Sequence, residues 1–145
     1  MKAVIQRVSR ASVTVDGRLI SRIGTGLLVL LGVEEGDTRE NALAMAKKTA
    51  AMRIFRDEND KMNLSVRDCA GEAIVVSQFT LCADTRKGNR PSFIGAAAPE
   101  IAAPLVDLFA ESMREQGVPT QQGLFGADMK VELLNDGPVT ILLEN

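Results

Sequence analysis

Apolar and polar residues alternate along the start of the chain, in two runs that a short polar break separates. Residues 2–8 and 11–15 show this two-residue period, which is typical of strands with one buried face. Asp16-Gly17 is a tight-turn signal, and residues 18–24 return in the same pattern. We therefore predict a hairpin at the start of the fold.

The next segment changes from a continuous apolar run to a helical spacing. Residues 26–33, GLLVLLGV, have the length and composition of a central strand. Asp37 is followed three residues later by Glu40, a plausible N-cap with its reciprocal partner. Residues 38–55 then place four apolar side chains on one helical face: Leu43, Ala46, Ala50 and Ile54.

A second helix is predicted over residues 99–116. Its inward side chains are expected to be Leu105, Leu108, Phe109 and Met113. Gly117 and Pro119 mark its end, since glycine caps helices and proline cannot continue them. Pro104 must either belong to the first turn or kink the helix.

Three further strands are expected in the second half of the chain, at residues 73–79, 129–135 and 138–144. Asn135-Asp136-Gly137-Pro138 lies between the last two and is made entirely of turn formers, so a hairpin turn is the favoured interpretation. The predicted fold is α+β: a single domain over residues 1–145, with a mostly antiparallel, barrel-like sheet and two helices packed against it.

The composition excludes several kinds of catalytic and metal site, whereas it adds little about the fold. The 145 residues carry a net charge of −2, so any nucleic-acid contact must use a local basic patch. The chain has no histidine, which excludes Ser-His-Asp and Cys-His catalysis. Two cysteines without histidine cannot complete the usual zinc ligand set, and we expect neither a metal nor a cofactor.

The same composition bears on location. No apolar run approaches the ~20 residues that span a bilayer. The first residues are interrupted by charge too soon for a signal peptide, and two unpatterned thiols suit a reducing compartment. We expect a cytoplasmic protein that does not associate with membranes.

Ser77-Gln78-Phe79-Thr80 ends an apolar strand and is the first candidate for chemistry. These polar residues could simply cap the turn, since loop Ser and Thr commonly bond to nearby backbone. Alternatively, consecutive N–H groups at the strand end could form an oxyanion hole for acyl transfer. Thr80 could be a nucleophile, but no histidine is present to activate it.

Two other segments could bind a substrate. Asn135–Pro138 is the turn described above, and a cis Gly137-Pro138 bond would be unusual there, since only ~5–6% of X–Pro bonds are cis. Arg86, Lys87 and Arg90 lie in an irregular loop directly after the first candidate. This loop is either solvated or a patch that contacts the phosphates of a nucleic-acid backbone.

Together these segments resemble the D-aminoacyl-tRNA deacylase family in its main bacterial and eukaryotic form. The similarity runs from MKAVIQRVSRASVTVDG through GLLVLLGV, SQFTL, RPSF and GADM to NDGPVT. SQFT and NDGPVT are the two signature motifs of the family, and both are intact here.

The resemblance implies a homodimer that hydrolyses the ester between a D-amino acid and the 3′ end of tRNA. Ser77 to Thr80 would line the pocket, with the Phe79 and Thr80 N–H groups near the scissile carbonyl. Gly137-Pro138 would be a cis dipeptide that enters the partner subunit's active site, held in place by Arg7. Phe125 and Met129 would contribute pocket wall.

The resemblance also implies how catalysis proceeds without histidine. The 2′-hydroxyl of the terminal ribose would position or activate water, whereas acyl transfer to Thr80 is the competing route. A filter that works by rejecting L side chains should admit glycine, so glycyl-tRNA mischarged for alanine is a second expected substrate.

Two other classes of function stay open. One is a non-catalytic dimeric module that binds RNA or a metabolite, and the other is a conventional hydrolase with Cys82 or Thr80 as nucleophile.

Overall fold

The computed structural model describes all residues from 1 to 145. A single 3₁₀ turn, Phe79–Cys82, follows the sixth strand. The other elements, in chain order, are β1 (Lys2–Val15), β2 (Arg18–Ile23), β3 (Gly26–Gly32), α1 (Arg39–Ala51), β4 (Phe55–Arg56), β5 (Met62–Leu64), β6 (Glu72–Ser77), α2 (Pro99–Glu115), β7 (Thr120–Gln122) and β8 (Lys130–Glu144).

Six of the strands form one mixed sheet in which β1 is the long central member. β1 pairs antiparallel with β2, β3 and β8, while β3–β6 and β6–β7 are parallel pairs. The sheet curls until β7 approaches β2, where the Gln121 side chain bonds to both backbone groups of Arg22 at 2.7 and 3.1 Å. The predicted α+β class, with a curled sheet and two helices, is confirmed.

The predicted N-terminal hairpin is present, but its first arm is one strand instead of two. β1 runs through the polar break because it changes partner there, from β3 to β2, while keeping β8 on its other edge. Arg7 and Val8 are buried in succession, which breaks the two-residue period. Asp16 and Gly17 adopt φ values of 49° and 75°, as a two-residue hairpin turn requires.

The hairpin predicted at Asn135–Pro138 is wrong. β8 is continuous and runs antiparallel to β1 along its whole length. Gln6 pairs with Thr140 and Val8 with Asn135, so three additional residues of β8 are accommodated as a bulge. The turn formers do not reverse the chain because both flanking segments pair with the same strand in the same direction.

Helix α1 differs from its prediction at both ends. Thr38 is the N-cap residue, and its N–H donates to Asn41 Oδ1 at 2.9 Å, so Asp37 and Glu40 do not form the expected pair. Asp37 instead accepts the Glu34 N–H and the Met1 ammonium group, each at 2.7 Å. The helix ends at Ala51, so Ile54 is buried from a loop.

Helix α2 agrees with its prediction to one residue. Pro99 occupies the first turn, where its missing N–H costs nothing, and Pro104 lies inside the helix on its exposed side. Phe109 and Met113 are fully buried against one face of the sheet. Neither helix combines the length and the apolar character that a membrane crossing needs. The short strands β4, β5 and β7 were not predicted, because two or three residues carry no periodic signal.

Candidate active site

The first signature segment lies where the two central parallel strands end. Ser77 is the last residue of β6 and pairs with Leu31 of β3. The Gln78 N–H extends the ladder by donating to Leu31 O at 2.8 Å, after which the chain turns into the 3₁₀ helix. The position of the segment is therefore fixed by the most buried strands of the sheet.

Gly32 allows this 3₁₀ turn to pack closely on the end of β3. A Cβ at this position would lie 3.0 Å from both Gln78 O and Leu81 Cβ, and 3.2 Å from Cys82 Sγ. Such contacts are tighter than a side chain tolerates without movement of its neighbours. A glycine within a strand commonly marks this kind of approach, so the sequence carried a signal that the prediction did not use.

The start of the 3₁₀ turn supplies polar donors at this strand end. Phe79 and Thr80 are its first two residues, so their N–H groups have no acceptor within the turn. Two successive unpaired N–H groups can stabilise an oxyanion if a carbonyl is placed against them. This part of the candidate site depends on backbone geometry and needs no ionisable side chain.

A pocket of about 500 Å³ opens beside these donors. It brings Ser77, Gln78 and Phe79 together with two residues some fifty positions later in the chain, Phe125 and Met129. Thr80 lies just outside the lining. The remaining walls are mainly apolar and come from β3 and the residue after it, β6, β8, helix α2 and the loops before α2 and β8: Leu31, Val33, Val76, Ala96, Ala97, Pro99, Ala102, Val106, Gly126, Ala127, Asp128 and Val131.

Met129 is held in the pocket wall by the backbone at the end of β7. The Leu124 N–H donates to Met129 Sδ at 3.3 Å. Gly123 leaves room for this sulfur, because a Cβ there would lie 2.6 Å from it. The Met129 thioether therefore packs directly against the backbone of Gly123 and Leu124.

Neither candidate nucleophile at this site is activated. Thr80 Oγ1 accepts a hydrogen bond from the neutral Gln78 amide and has no bonded group that could remove its proton. Burial raises the pKa of the Cys82 thiol, whose Sγ donates to Val33 O at 3.4 Å. A buried thiol that is harder to ionise is a poor nucleophile.

The second signature segment, the β8 bulge at residues 135–139, is anchored from below by Arg7. The Arg7 side chain is buried, with 3% of the residue exposed, and its Nε donates to Asp136 O at 3.0 Å. Its Nη1 donates to Ile54 O at 2.7 Å, which ties the bulge to the loop after α1. The predicted contact between Arg7 and this segment is therefore present.

The bulge itself has a defined conformation. The Gly137–Pro138 peptide bond is cis, as the resemblance implies. Gly137 has a φ of +130°, and a Cβ there would lie 2.7 Å from Arg7 Nη2. Asn135 braces the far side, since its Oδ1 accepts the Val139 N–H at 3.1 Å and its Nδ2 donates to Thr140 Oγ1 at 2.9 Å.

The two signature segments are not brought together within one chain. Arg7, beneath the bulge, pairs with Leu27 of β3, whereas Ser77 pairs with Leu31. No residue of the bulge lines the pocket beside Phe79. Gly137 lines a separate depression with Arg7, Phe55, Arg56 and Asp136.

The basic loop follows the 3₁₀ turn and is closed at its base. Asp84 and Ser92 exchange two backbone hydrogen bonds at 2.8 and 3.0 Å. Arg86 folds back onto Asp84 with contacts of 2.9 and 2.6 Å, and this pairing holds the pKa of the Asp84 carboxyl far below its usual range. Lys87 and Arg90 are exposed and form no ion pair, so they are the free cations of the loop.

Comparison with known proteins agrees with this arrangement. The family model described as D-Tyr-tRNA(Tyr) deacylase matches residues 4–144. A D-aminoacyl-tRNA deacylase of Roseiflexus castenholzii is 61% identical over 145 residues, covering 100% of this chain and 92% of the relative. One from Shewanella amazonensis is 60% identical over 144 residues, covering 99% of each chain.

Two solved structures share the fold. One, described as "c-Myc DNA Unwinding Element Binding Protein", is 46% identical with a TM-score of 0.93 and covers 100% of this chain and 99% of its own. The other, described as a probable eukaryotic D-amino acid tRNA deacylase, is 18% identical with a TM-score of 0.80, over 98% of this chain and 97% of its own, and shows the fold alone.

These matches identify the chain as an enzyme of the class of hydrolases that act on aminoacyl-tRNA. Within that class, it belongs to the D-aminoacyl-tRNA deacylase family.

Proposed function

We propose that residues 1–145 form a single deacylase domain that hydrolyses the ester between a D-amino acid and the 3′ end of tRNA, in the cytoplasm. The observation that carries this proposal is the pocket beside Phe79 and Thr80, which combines apolar walls with backbone donors. An aminoacyl ester is already activated, so oxyanion stabilisation and orientation supply enough of the rate acceleration. Family membership gives the substrate class.

The chain offers no side-chain base at this site, and the substrate carries the group that replaces it. The 2′-hydroxyl of the terminal ribose lies beside the 3′ ester and positions or activates the attacking water. The tetrahedral oxyanion is stabilised by the Phe79 and Thr80 N–H groups. The carbonyl then re-forms, and the ribose 3′-oxygen leaves with a proton as the free hydroxyl of tRNA.

The covalent route through Thr80 is disfavoured by its hydrogen bonding. Its hydroxyl oxygen accepts from the Gln78 amide, and no carboxylate or amine is bonded to it. An unactivated hydroxyl is a weak nucleophile near pH 7. Gln78 and Thr80 are therefore assigned to shaping the turn that carries the two N–H donors.

Chiral selection is proposed to come from a second copy of the chain. In a two-fold dimer, the protruding Gly137-Pro138 bulge of each copy would enter the pocket of the other, and its carbonyl groups would face the substrate α-carbon. A rigid main-chain wedge at that point rejects an L side chain and leaves the D side open. Glycine has no side chain to reject, so glycyl-tRNA mischarged for alanine is the proposed second substrate.

Deacylation of D-tyrosyl-, L-tyrosyl- and glycyl-tRNA, measured in parallel with an enzyme-free control, tests the activity and the filter. Rapid loss of the D and glycyl esters, with the L ester spared, is the expected result. Equal rates for D and L esters would contradict the chiral filter.

Two changes separate the catalytic routes: a substrate ending in 2′-deoxyadenosine, and the Thr80→Ala variant. The proposal expects the 2′-deoxy substrate to react slowly with the wild-type protein, and Thr80→Ala to retain most activity on the normal substrate. The reverse pattern, with a trapped acyl-enzyme, would establish the covalent route.

A non-catalytic module that binds nucleic acid is the alternative that the sequence left open, and family membership counts against it. The observation that favours it is the 46% identity to a solved protein whose name describes binding to a DNA unwinding element. This alternative predicts tRNA binding without ester hydrolysis above the control. It also predicts that substitution of Gly137 leaves the decay of aminoacyl-tRNA unchanged.

A further inference from the structure

Exposed apolar side chains lie beside the pocket and flank the basic loop in the sequence. Phe79 is 58% exposed, Phe93 is 37% exposed and Ile94 is 87% exposed. Large apolar side chains grouped at the mouth of a pocket are more often a contact surface than isolated ones are. We call these three residues the aromatic rim.

The two aromatic rings of the rim meet edge to face. Their centroids are 5.1 Å apart and their planes are inclined by 71°. In this geometry one ring presents its edge to a face of the other, and both residues keep surface exposed to a ligand. Phe79 also lines the pocket, which makes the rim continuous with the site.

The rim is held by backbone hydrogen bonds to the loop after β3. The Glu35 N–H donates to Gly95 O at 2.9 Å, and the Ala97 N–H donates to Val33 O at 3.0 Å. Phe93 and Ile94 directly precede this anchored stretch. A platform for a ligand requires such a fixed base, since ordering a mobile loop would reduce the affinity.

The positively charged loop leads directly into the rim. Ser92 closes the basic loop by pairing with Asp84, which places Phe93 directly after the loop. Lys87 and Arg90 are exposed and free of ion pairs, whereas Arg86 is engaged by Asp84. Open aromatic faces beside free cations are the combination by which proteins bind single-stranded nucleic acid.

We propose that the aromatic rim is a stacking platform for the unpaired nucleotide that precedes the esterified adenosine of tRNA. A base of that nucleotide stacks on Phe93, and its phosphate lies towards Lys87 and Arg90. This inference rests on the proposed function, because the pocket beside Phe79 must hold the aminoacyl ester. It adds a binding subsite outside the pocket.

The test compares D-tyrosyl esters of three ligands: adenosine, the dinucleotide cytidylyl-adenosine, and the trinucleotide with two cytidines. For each protein, kcat/KM on the dinucleotide ester is divided by kcat/KM on the adenosine ester. This ratio removes any change in the shared pocket. We expect a ratio of about tenfold for the wild type, the scale of one base stacked on an aromatic side chain.

Phe93→Ala should reduce this ratio to near one, while Phe93→Trp should keep it, because an aromatic face is retained. Leu19→Ala, which removes an exposed apolar side chain on the distant β2 hairpin, is the matched control and should keep the wild-type ratio. A wild-type ratio near one, or an unchanged ratio in Phe93→Ala, would overturn the stacking platform.

Other outcomes are distinguishable from these. If no D-tyrosyl ester is hydrolysed by the wild type, the proposed function fails and not only the platform. If Phe93→Ala changes the sedimentation coefficient, the rim is covered by a second copy of the chain and the platform is refuted.

Discussion

The two signature segments are built in opposite ways. Residues 77–80 end a buried parallel strand, and their position is fixed by the central sheet. The first three of them line a concave pocket. Residues 136–138 are exposed on β8, which pairs only with β1, and they depend on Arg7 and Asn135 for their shape. One segment is a receptacle and the other is a projection.

This difference shows which part of the site a single chain supplies by itself and which part it does not. The concave segment has donors and walls supplied by its own chain. No residue of the convex segment lines that pocket, and Gly137 lines a separate depression, so the segment has no substrate of its own chain to contact. A projection that is held this firmly is suited to enter another molecule.

The largest loss of deacylation rate is expected from Gly137→Ala, which distorts the projection. The new Cβ would lie 2.7 Å from Arg7 Nη2 at a φ of +130°, so the bulge must move. Misplacement by about 1 Å can cost about 10²-fold in rate, and we expect a loss of that size on D-tyrosyl-tRNA. Gly17→Ala is the control, since Gly17 also has a positive φ but has nothing within 4 Å of its Cβ. Equal losses in both variants would show a general effect on folding.

A smaller effect is expected from Gly32→Ala, which disturbs the receptacle. Its Cβ would press on Gln78 O and Leu81 Cβ at 3.0 Å and displace the 3₁₀ turn by tenths of an ångström. We expect kcat to fall about tenfold, less than a full ångström would cost. Gly24→Ala has open space around its Cβ and should retain activity. Wild-type kcat in Gly32→Ala would argue against the Phe79 and Thr80 donors.

Substitutions in the basic loop should change the salt dependence of KM and not kcat. For Lys87→Ala or Arg90→Ala, the slope of log KM against log salt should fall by about 0.7–0.9, the value for one phosphate contact. Arg86→Ala should change it less, because Asp84 already engages that guanidinium. A slope that no loop variant changes would remove this loop from the tRNA contact surface.

The smallest effect is expected from thiol reagents. Burial raises the pKa of Cys82, so less thiolate is present at a given pH than in an exposed cysteine, and modification should accelerate only at strongly alkaline pH. Treatment at pH 7 should leave deacylation unchanged. The Cys69→Ala variant isolates Cys82 in this measurement, and rapid inactivation at pH 7 would revive a cysteine nucleophile.

The sequence predicted the receptacle better than the projection. The apolar run over residues 73–76, all four of which are buried, indicated the strand that ends at Ser77. Asn135–Pro138 was interpreted as a hairpin because its local turn chemistry is identical whether the chain reverses or bulges. Only the pairing of both flanks with β1 decides between them, and that is a long-range property.

Arg7 shows the same limit of local sequence patterns, which do not reveal long-range contacts. Alternation places Arg7 on the same strand face as the buried Ala3 and Ile5, but it does not identify the groups that accept its hydrogen bonds. Its role was inferred only through the family resemblance. The partner groups, Asp136 O and Ile54 O, are backbone atoms 129 and 47 residues away, which no local pattern predicts.

The central claim is that the projection of one copy completes the receptacle of another, and mixing two inactive variants tests it most directly. Ala127→Trp fills the pocket and leaves the bulge intact, whereas Gly137→Ala distorts the bulge and leaves the pocket open. After denaturation and joint refolding, half of the dimers are mixed and each has one complete site, so about a quarter of the wild-type activity should return. Activity no higher than the sum of the two separately refolded variants would contradict the claim.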